Sequence, residues 1–188
     1  MTDTNRAAYI SEIMAWENYS RTSNPMNLPN SYDCADVATY LYGQAMGDTN
    51  TGRTISNLTH AGSPINNISD IASTDFFESE VNNIDFYSDT SFNNEFVEVG
   101  SVMVWQGPGY NAETKTGWNG HVATVVSVTR DSNGNVSNIR IIQGHTGGNR
   151  TEVVDITSQA DLNSYVGTFL GFGEIGLGST QNINAPEK

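Results

Sequence analysis

Cysteine is nearly missing from this chain of 188 residues: it occurs once, at Cys34. No internal disulfide can form, and there is no pair of thiolates from which a structural zinc site could be built. Positive charge is scarce as well. Eight Lys and Arg stand against 21 Asp and Glu, a net charge of −13, and the resulting field repels an extended anionic polymer. Nucleic acid and anionic membrane surfaces are therefore not expected ligands. No stretch approaches the ~18 consecutive apolar residues of a membrane span. The opening Met-Thr-Asp-Thr-Asn-Arg-Ala-Ala-Tyr-Ile has neither the basic n-region nor the apolar h-region of a secretory leader. The expectation is a protein that stays in the cytoplasm of its producer until a dedicated secretion system or lysis releases it. The length suits one domain with a real core. Residues 1–178 read as that domain, with 48–95 as an insertion and 179–188 as a flexible tail.

What is present gathers around the single thiol. From Cys34 onward, Val37, Ala38, Leu41, Tyr42 and Ala45 recur at helical spacing and define one apolar face. Asp33 is a suitable N-cap, and Gly47 followed by Asp-Thr-Asn a suitable stop. A thiol in the first turn of such a helix feels the positive end of the dipole. That favours thiolate and can bring its pKa from about 8.5 into the roughly 3.5–7.5 range of reactive cysteines. A lone cysteine on an apolar helix face is more often a small buried hydrophobe, so the thiol needs partners elsewhere in the chain to count as a nucleophile.

Upstream, residues 4–19 read as a first helix with Tyr9, Ile13 and Trp16 on one stripe and Ile10 and Met14 beside it. Pro25 and Pro29 end it and deliver an extended approach to Asp33. Residues 48–95 are rich in Asn, Ser, Thr and Asp, with short helices expected near 69–72 and 75–84. An irregular insertion of that length reads either as the wall or lid of a groove or as a surface excursion. His60, within it, is expected as a solvated loop residue.

From residue 96 the periodicity changes to alternation. Phe96–Val99 leads through Gly100 into a strand at Ser101–Trp105, with Trp105 expected in the core, and Gly107-Pro108-Gly109 breaks it. Gly120–Thr129 and Val136–Gln143 read as the two arms of a hairpin about Asp131-Ser132-Asn133-Gly134-Asn135. That turn has some oxygen ligands of a calcium loop, but its glycine comes too early and the distal glutamate is absent, so a plain turn is expected. Further strands fit Glu152–Ile156 and Gly167–Phe172. Helices first and antiparallel strands second give a segregated α+β fold, with N-terminal helices packed on an antiparallel sheet.

Two histidines fall where a base and its partner could stand. His121 follows Gly120 at the start of a strand, and Gln143 and His145 share the parity of Ile139 and Ile141 on the next. A thiol–imidazole pair needs a third group that holds the ring, and either Gln143 or His145 qualifies. This ordered set, Asp33-Cys34 at a helix start, Gly100–Trp105, Gly120-His121-Val122-Ala123-Thr124-Val125-Val126, then Ile141-Ile142-Gln143-Gly144-His145-Thr146, resembles the NlpC-like and CHAP cysteine peptidases and amidases of the papain-like superfamily. The resemblance spans roughly residues 31–47 and 96–172.

The resemblance implies a papain-like fold, with Cys34 as nucleophile, His121 as base and then acid, and the third position at Gln143 or His145. Tyr32, Asp33 and Asp36 beside the thiol are the expected substrate contacts, with N-capping the alternative role of Asp33, and Trp118, flanking the loop before His121, is a candidate lining of the cleft. The motif's usual Asp-Cys-Ser-Gly is here Asp33-Cys34-Ala35-Asp36, which leaves the nucleophile intact and removes the serine's contact. The implied reaction is hydrolysis of amide bonds in the peptide part of bacterial peptidoglycan by a secreted antibacterial effector or lysin. Neither a metal nor any other cofactor is required. The toxin reading brings with it an immunity or inhibitor protein as partner, which no residue identifies. The same order of residues also serves a deamidase, a transglutaminase-like or acyl-transfer toxin, and a catalytically silent binding module.

Overall fold

The computed structural model describes residues 3–19, 34, 37, 38, 41, 59–60, 63–64, 84–87, 89–107, 120–145 and 150–175. Among these, the chain forms α1 (Asp3–Ala15), β1 (Thr59–His60), β2 (Ser63–Pro64), β3 (Ile84–Tyr87), β4 (Val102–Gln106), β5 (Gly120–Arg130), β6 (Val136–His145), β7 (Arg150–Ile156), α2 (Gln159–Ser164) and β8 (Thr168–Ile175). Cys34, Val37, Ala38 and Leu41 are also helical. β1 and β2 pair with each other. The other six strands form one sheet in the order β3-β8-β4-β5-β6-β7, every neighbouring pair antiparallel. The architecture is α+β, and among the described residues no helix is long and apolar enough to cross a membrane.

The sheet is organised by the β5–β6 hairpin, whose two arms are long because apolar residues alternate without a proline or interior turn signal. Its turn is built by Asp131. One carboxylate oxygen accepts from the backbone N–H groups of Asn133 at 2.8 Å and Asn135 at 2.9 Å, and Gly134 takes the left-handed φ of +85° that closes the turn. The Asn135 side-chain amide, donating to the other carboxylate oxygen at 3.2 Å, is the largest cause that holds the Asp131 carboxyl below its ordinary range, and the backbone contacts add to it. A bulge between Val125 and Ser127 bends β5.

The sheet buries both of its faces. Ile141 and Ile142, adjacent on β6, enter different cores. Ile141 joins Met103, Trp105, Ala123, Val125, Ile139, Leu162, Phe169 and Phe172, a layer closed by α2. Ile142 joins Val126, Tyr9 and Ile13 of α1, and Val37 and Leu41 of the Cys34 segment. Tyr9 also donates to the Gly100 carbonyl at 3.0 Å, which ties α1 to the entry of β4. The helical segment that carries the thiol therefore packs on the sheet beside α1, as its apolar spacing predicts.

Several elements differ from the sequence reading. α1 ends at Ala15 and continues as turns, so it is shorter than 4–19, and Met14 is 52% exposed instead of lying beside the buried stripe. The strand expected at Ser101–Trp105 runs from Val102 to Gln106, and Phe96–Val99 leads into it. Arg130 donates from one guanidinium nitrogen to the carbonyls of Asn94, Glu95 and Val97 at 3.1–3.3 Å, holding that segment as turns. Ile84, placed at the end of an expected helix, instead opens β3, an edge strand on β8. β7 begins at Arg150 and β8 runs on to Ile175, both longer than expected.

Helix α2 has no counterpart in the sequence pattern. It holds one buried apolar position, Leu162, too few for a period, and its start is marked by Ser158 accepting from the Asp161 N–H at 3.1 Å and by the Asp161 carboxylate accepting from the Thr157 N–H at 3.0 Å. The expected helices near 69–72 and over residues 75–83, the Pro25–Pro29 approach, the Gly47 stop and the 179–188 tail lie outside the described residues.

Candidate active site

The site begins with a glycine whose position leaves no room for a side chain. Gly120 opens β5 at φ +134°, and a Cβ built there would stand 2.0 Å from the Trp105 carbonyl oxygen. Only a residue without a side chain lets β4 and β5 approach this closely. The next residue, His121, pairs with Trp105 across the strands. Its ring lies 5.8 Å from the Trp105 ring and 6.1 Å from that of Tyr165, at the end of α2. The imidazole is 5% exposed. Trp105, fully buried as expected, is fixed by donating its indole N–H to the Leu162 carbonyl at 3.0 Å.

A polar chain leads away from the imidazole into β6 and β7. His121 Nε2 hydrogen-bonds Gln143 Oε1, and Gln143 is fully buried. Gln143 Nε2 in turn donates to Glu152 Oε1 at 2.9 Å, from the residue opposite it in the β6–β7 register. Arg150 Nη2 approaches the other carboxylate oxygen at 3.3 Å. Tyr165 borders this chain. Burial pushes its phenol well above the ordinary tyrosine range and the Glu152 charge adds to that, while a hydrogen bond with Gln143 and the Arg150 charge act the other way. Buried polar groups of this kind persist only when paired, since each unmet partner costs about 1–3 kcal/mol.

Of the residues singled out from the sequence, the structure brings His121 and Gln143 into contact. β6 runs through Gly144 to His145, whose backbone pairs with Arg150. Cys34 is helical and partly buried, on a segment whose Val37 and Leu41 pack on the α1 face of the sheet. The His121 ring lies among Trp105 and Tyr165 on the α2 face. The imidazole is enclosed there, beside the end of α2. Its parity matches that of Trp105, Ala123 and Gln143, and the large aromatics on that side close over it. Tyr32, Asp33, Asp36 and Trp118 lie outside the described residues.

The described end of the insertion, residues 89–95, contacts both the hairpin turn and α2. Asn93 accepts from the Val136 N–H at 2.8 Å and donates to Asn135 at 3.0 Å. Thr90 and Phe92 are held at the start of α2, the Thr90 carbonyl accepting from the Gln159 amide at 2.9 Å and the Phe92 N–H donating to that amide's oxygen at 2.7 Å. Sequence reasoning missed Glu152 and Tyr165. The register that sets Glu152 opposite Gln143 depends on the 146–149 connection, and Tyr165 reaches the ring only through the position of α2. Comparison with protein-family models, with curated proteins and with solved structures gives no match to this chain.

Proposed function

We propose that the chain is a cysteine hydrolase of papain-like type that cleaves amide bonds in the peptide part of bacterial peptidoglycan. The observation that carries this reading is the hydrogen bond between His121 Nε2 and Gln143 Oε1. It supplies an imidazole held through one nitrogen by a buried amide, which is what a thiol–imidazole pair requires of its third group. Cys34, on a helical segment, supplies the sulfur, and the ordered motifs around the three residues agree with the family resemblance. In the reaction, the thiolate attacks the amide carbonyl and the C–N bond breaks as His121 gives its proton to the leaving amine. Water then clears the thioester with His121 acting as base.

This reading requires Sγ to reach the imidazole around the end of the sheet where β5 begins, because the two packing layers lie on opposite faces. His121 is the second residue of β5, so that end is adjacent to it. The enclosure of the ring favours a second reading, a catalytically silent binding module in which His121, Gln143 and Glu152 are structural.

Two measurements separate these readings. Purified protein incubated with soluble peptidoglycan fragments is expected to give products of amide cleavage by mass, and Cys34→Ala none. No cleavage by the parent protein overturns the peptidoglycan assignment. In a thiol-labelling series across pH, a profile midpoint well below about 8.5 supports an activated thiol, and an ordinary midpoint supports the silent module.

A further inference from the structure

A neutral imidazole carries its proton on either nitrogen, and only the bare nitrogen can act as a base. In this protein the choice is made two side chains away from the ring. An ionised carboxylate accepts and never donates, so Glu152 Oε1, 2.9 Å from Gln143 Nε2, turns the amide nitrogen of Gln143 toward β7. The amide oxygen is left facing His121. A carbonyl oxygen also only accepts, so the ring nitrogen that meets it must be the protonated one. Arg150 approaches the far oxygen of Glu152 at 3.3 Å, which keeps the near oxygen directed at Gln143. Gln143, itself fully buried, cannot rotate its amide without setting its oxygen against the carboxylate, an exchange of an attraction for a repulsion.

We propose that Glu152 is a positioning residue that, through the orientation of the Gln143 amide, holds neutral His121 in the Nε2–H form and so leaves the lone pair on Nδ1. This deepens the hydrolase reading and takes its purpose from it: the base that serves Cys34 is Nδ1, and Glu152 keeps it in that state without touching substrate. The tautomer is read without turnover, so the two ideas fail separately.

The test is long-range ¹H–¹⁵N correlation on histidine-labelled full-length protein at about pH 9, above the ordinary histidine range. Signals of the three histidines are assigned with His60→Asn and His145→Asn. The parent protein is expected to show His121 as Nε2–H, with the other form lower by about tenfold or more, the ratio one charge-assisted hydrogen bond supports. Glu152→Gln, whose amide can accept or donate, is expected to bring the two forms within a few fold of each other. Glu152→Lys, which only donates, is expected to reverse them. The exchange Gln143→Glu with Glu152→Gln returns a pure acceptor to the ring and is expected to restore the Nε2–H form. Such a rescue does not follow from a merely structural carboxylate.

Nδ1–H as the parent form overturns the proposal, and so does a folded Glu152→Gln variant with the parent's ratio. If the single variants do not fold, the parent spectrum and the exchanged pair decide. A parent protein that shows the expected tautomer and cleaves nothing sinks the hydrolase reading while the positioning relation stands.

Discussion

Replacing Gly120 with alanine tests the link between backbone geometry and the candidate site most directly. The residue sits at φ +134°, a conformation essentially reserved for glycine, and a side chain there costs on the order of 1–3 kcal/mol in strain alone. The added methyl would also meet the Trp105 carbonyl oxygen at 2.0 Å and the Gly107 amide nitrogen at 3.1 Å. Both are backbone atoms in a paired strand region and cannot swing aside as a flexible side chain would. Relief requires β5 to move away from β4 by about 1 Å at the Gln106–Gly120 pair, with loss of one or two ladder hydrogen bonds at roughly 1 kcal/mol each. The sum is about 2–5 kcal/mol, a large part of the 5–15 kcal/mol that holds a typical domain.

Gly134 provides the control. It has a left-handed φ of +85°, but a methyl added there would meet nothing within 4 Å, so Gly134→Ala should cost only the backbone penalty, about 1–2 kcal/mol. Urea unfolding of the two variants measures the difference. Equal midpoints would mean that the close approach of β4 to β5 contributes nothing, and would refute the argument. Because His121 is the next residue, Gly120→Ala should also disturb the His121 ring signals under conditions where the protein remains folded, whereas Gly134→Ala should leave them in place.

Two further outcomes follow from the packing and the surface charge. Trp105→Phe removes the indole donor and leaves the Leu162 carbonyl without it; a loss of roughly 2–3 kcal/mol in denaturant unfolding is expected, and a change under about 0.5 kcal/mol would contradict the assigned role. Arg140 grips Asp155 through two nitrogens at 2.8 and 3.0 Å, and that contact holds the Asp155 carboxyl below its ordinary range. A carboxyl with a depressed folded value contributes stability above the ordinary value of about 4 and loses it as pH falls through the folded one. The pair is solvent-exposed, so Asp155→Asn should cost under about 1 kcal/mol at neutral pH. The gap between parent and variant should close in acid; a gap that persists there would show that the carboxylate charge is not its source.

The sequence by itself determined the sheet and where its chemistry could stand. Alternation over Gly120–Thr129 and Val136–Gln143, with turn residues between them, specifies a hairpin because period-two burial and a tight turn are local properties. The same locality made the buried Trp105, the apolar face of Val37, Ala38 and Leu41, and the candidate pairing of His121 with Gln143 legible. Tertiary structure alone decided which layer each group enters. Ile141 and Ile142 face different cores because a strand alternates, yet nothing local says which side α1 or α2 will cover. Glu152 acquired its place opposite Gln143 from the β6–β7 register, and Tyr165 came to His121 only through a six-residue helix too short to announce itself. Contacts between residues distant in the chain are set by how whole layers pack, a property that no window of neighbouring residues contains.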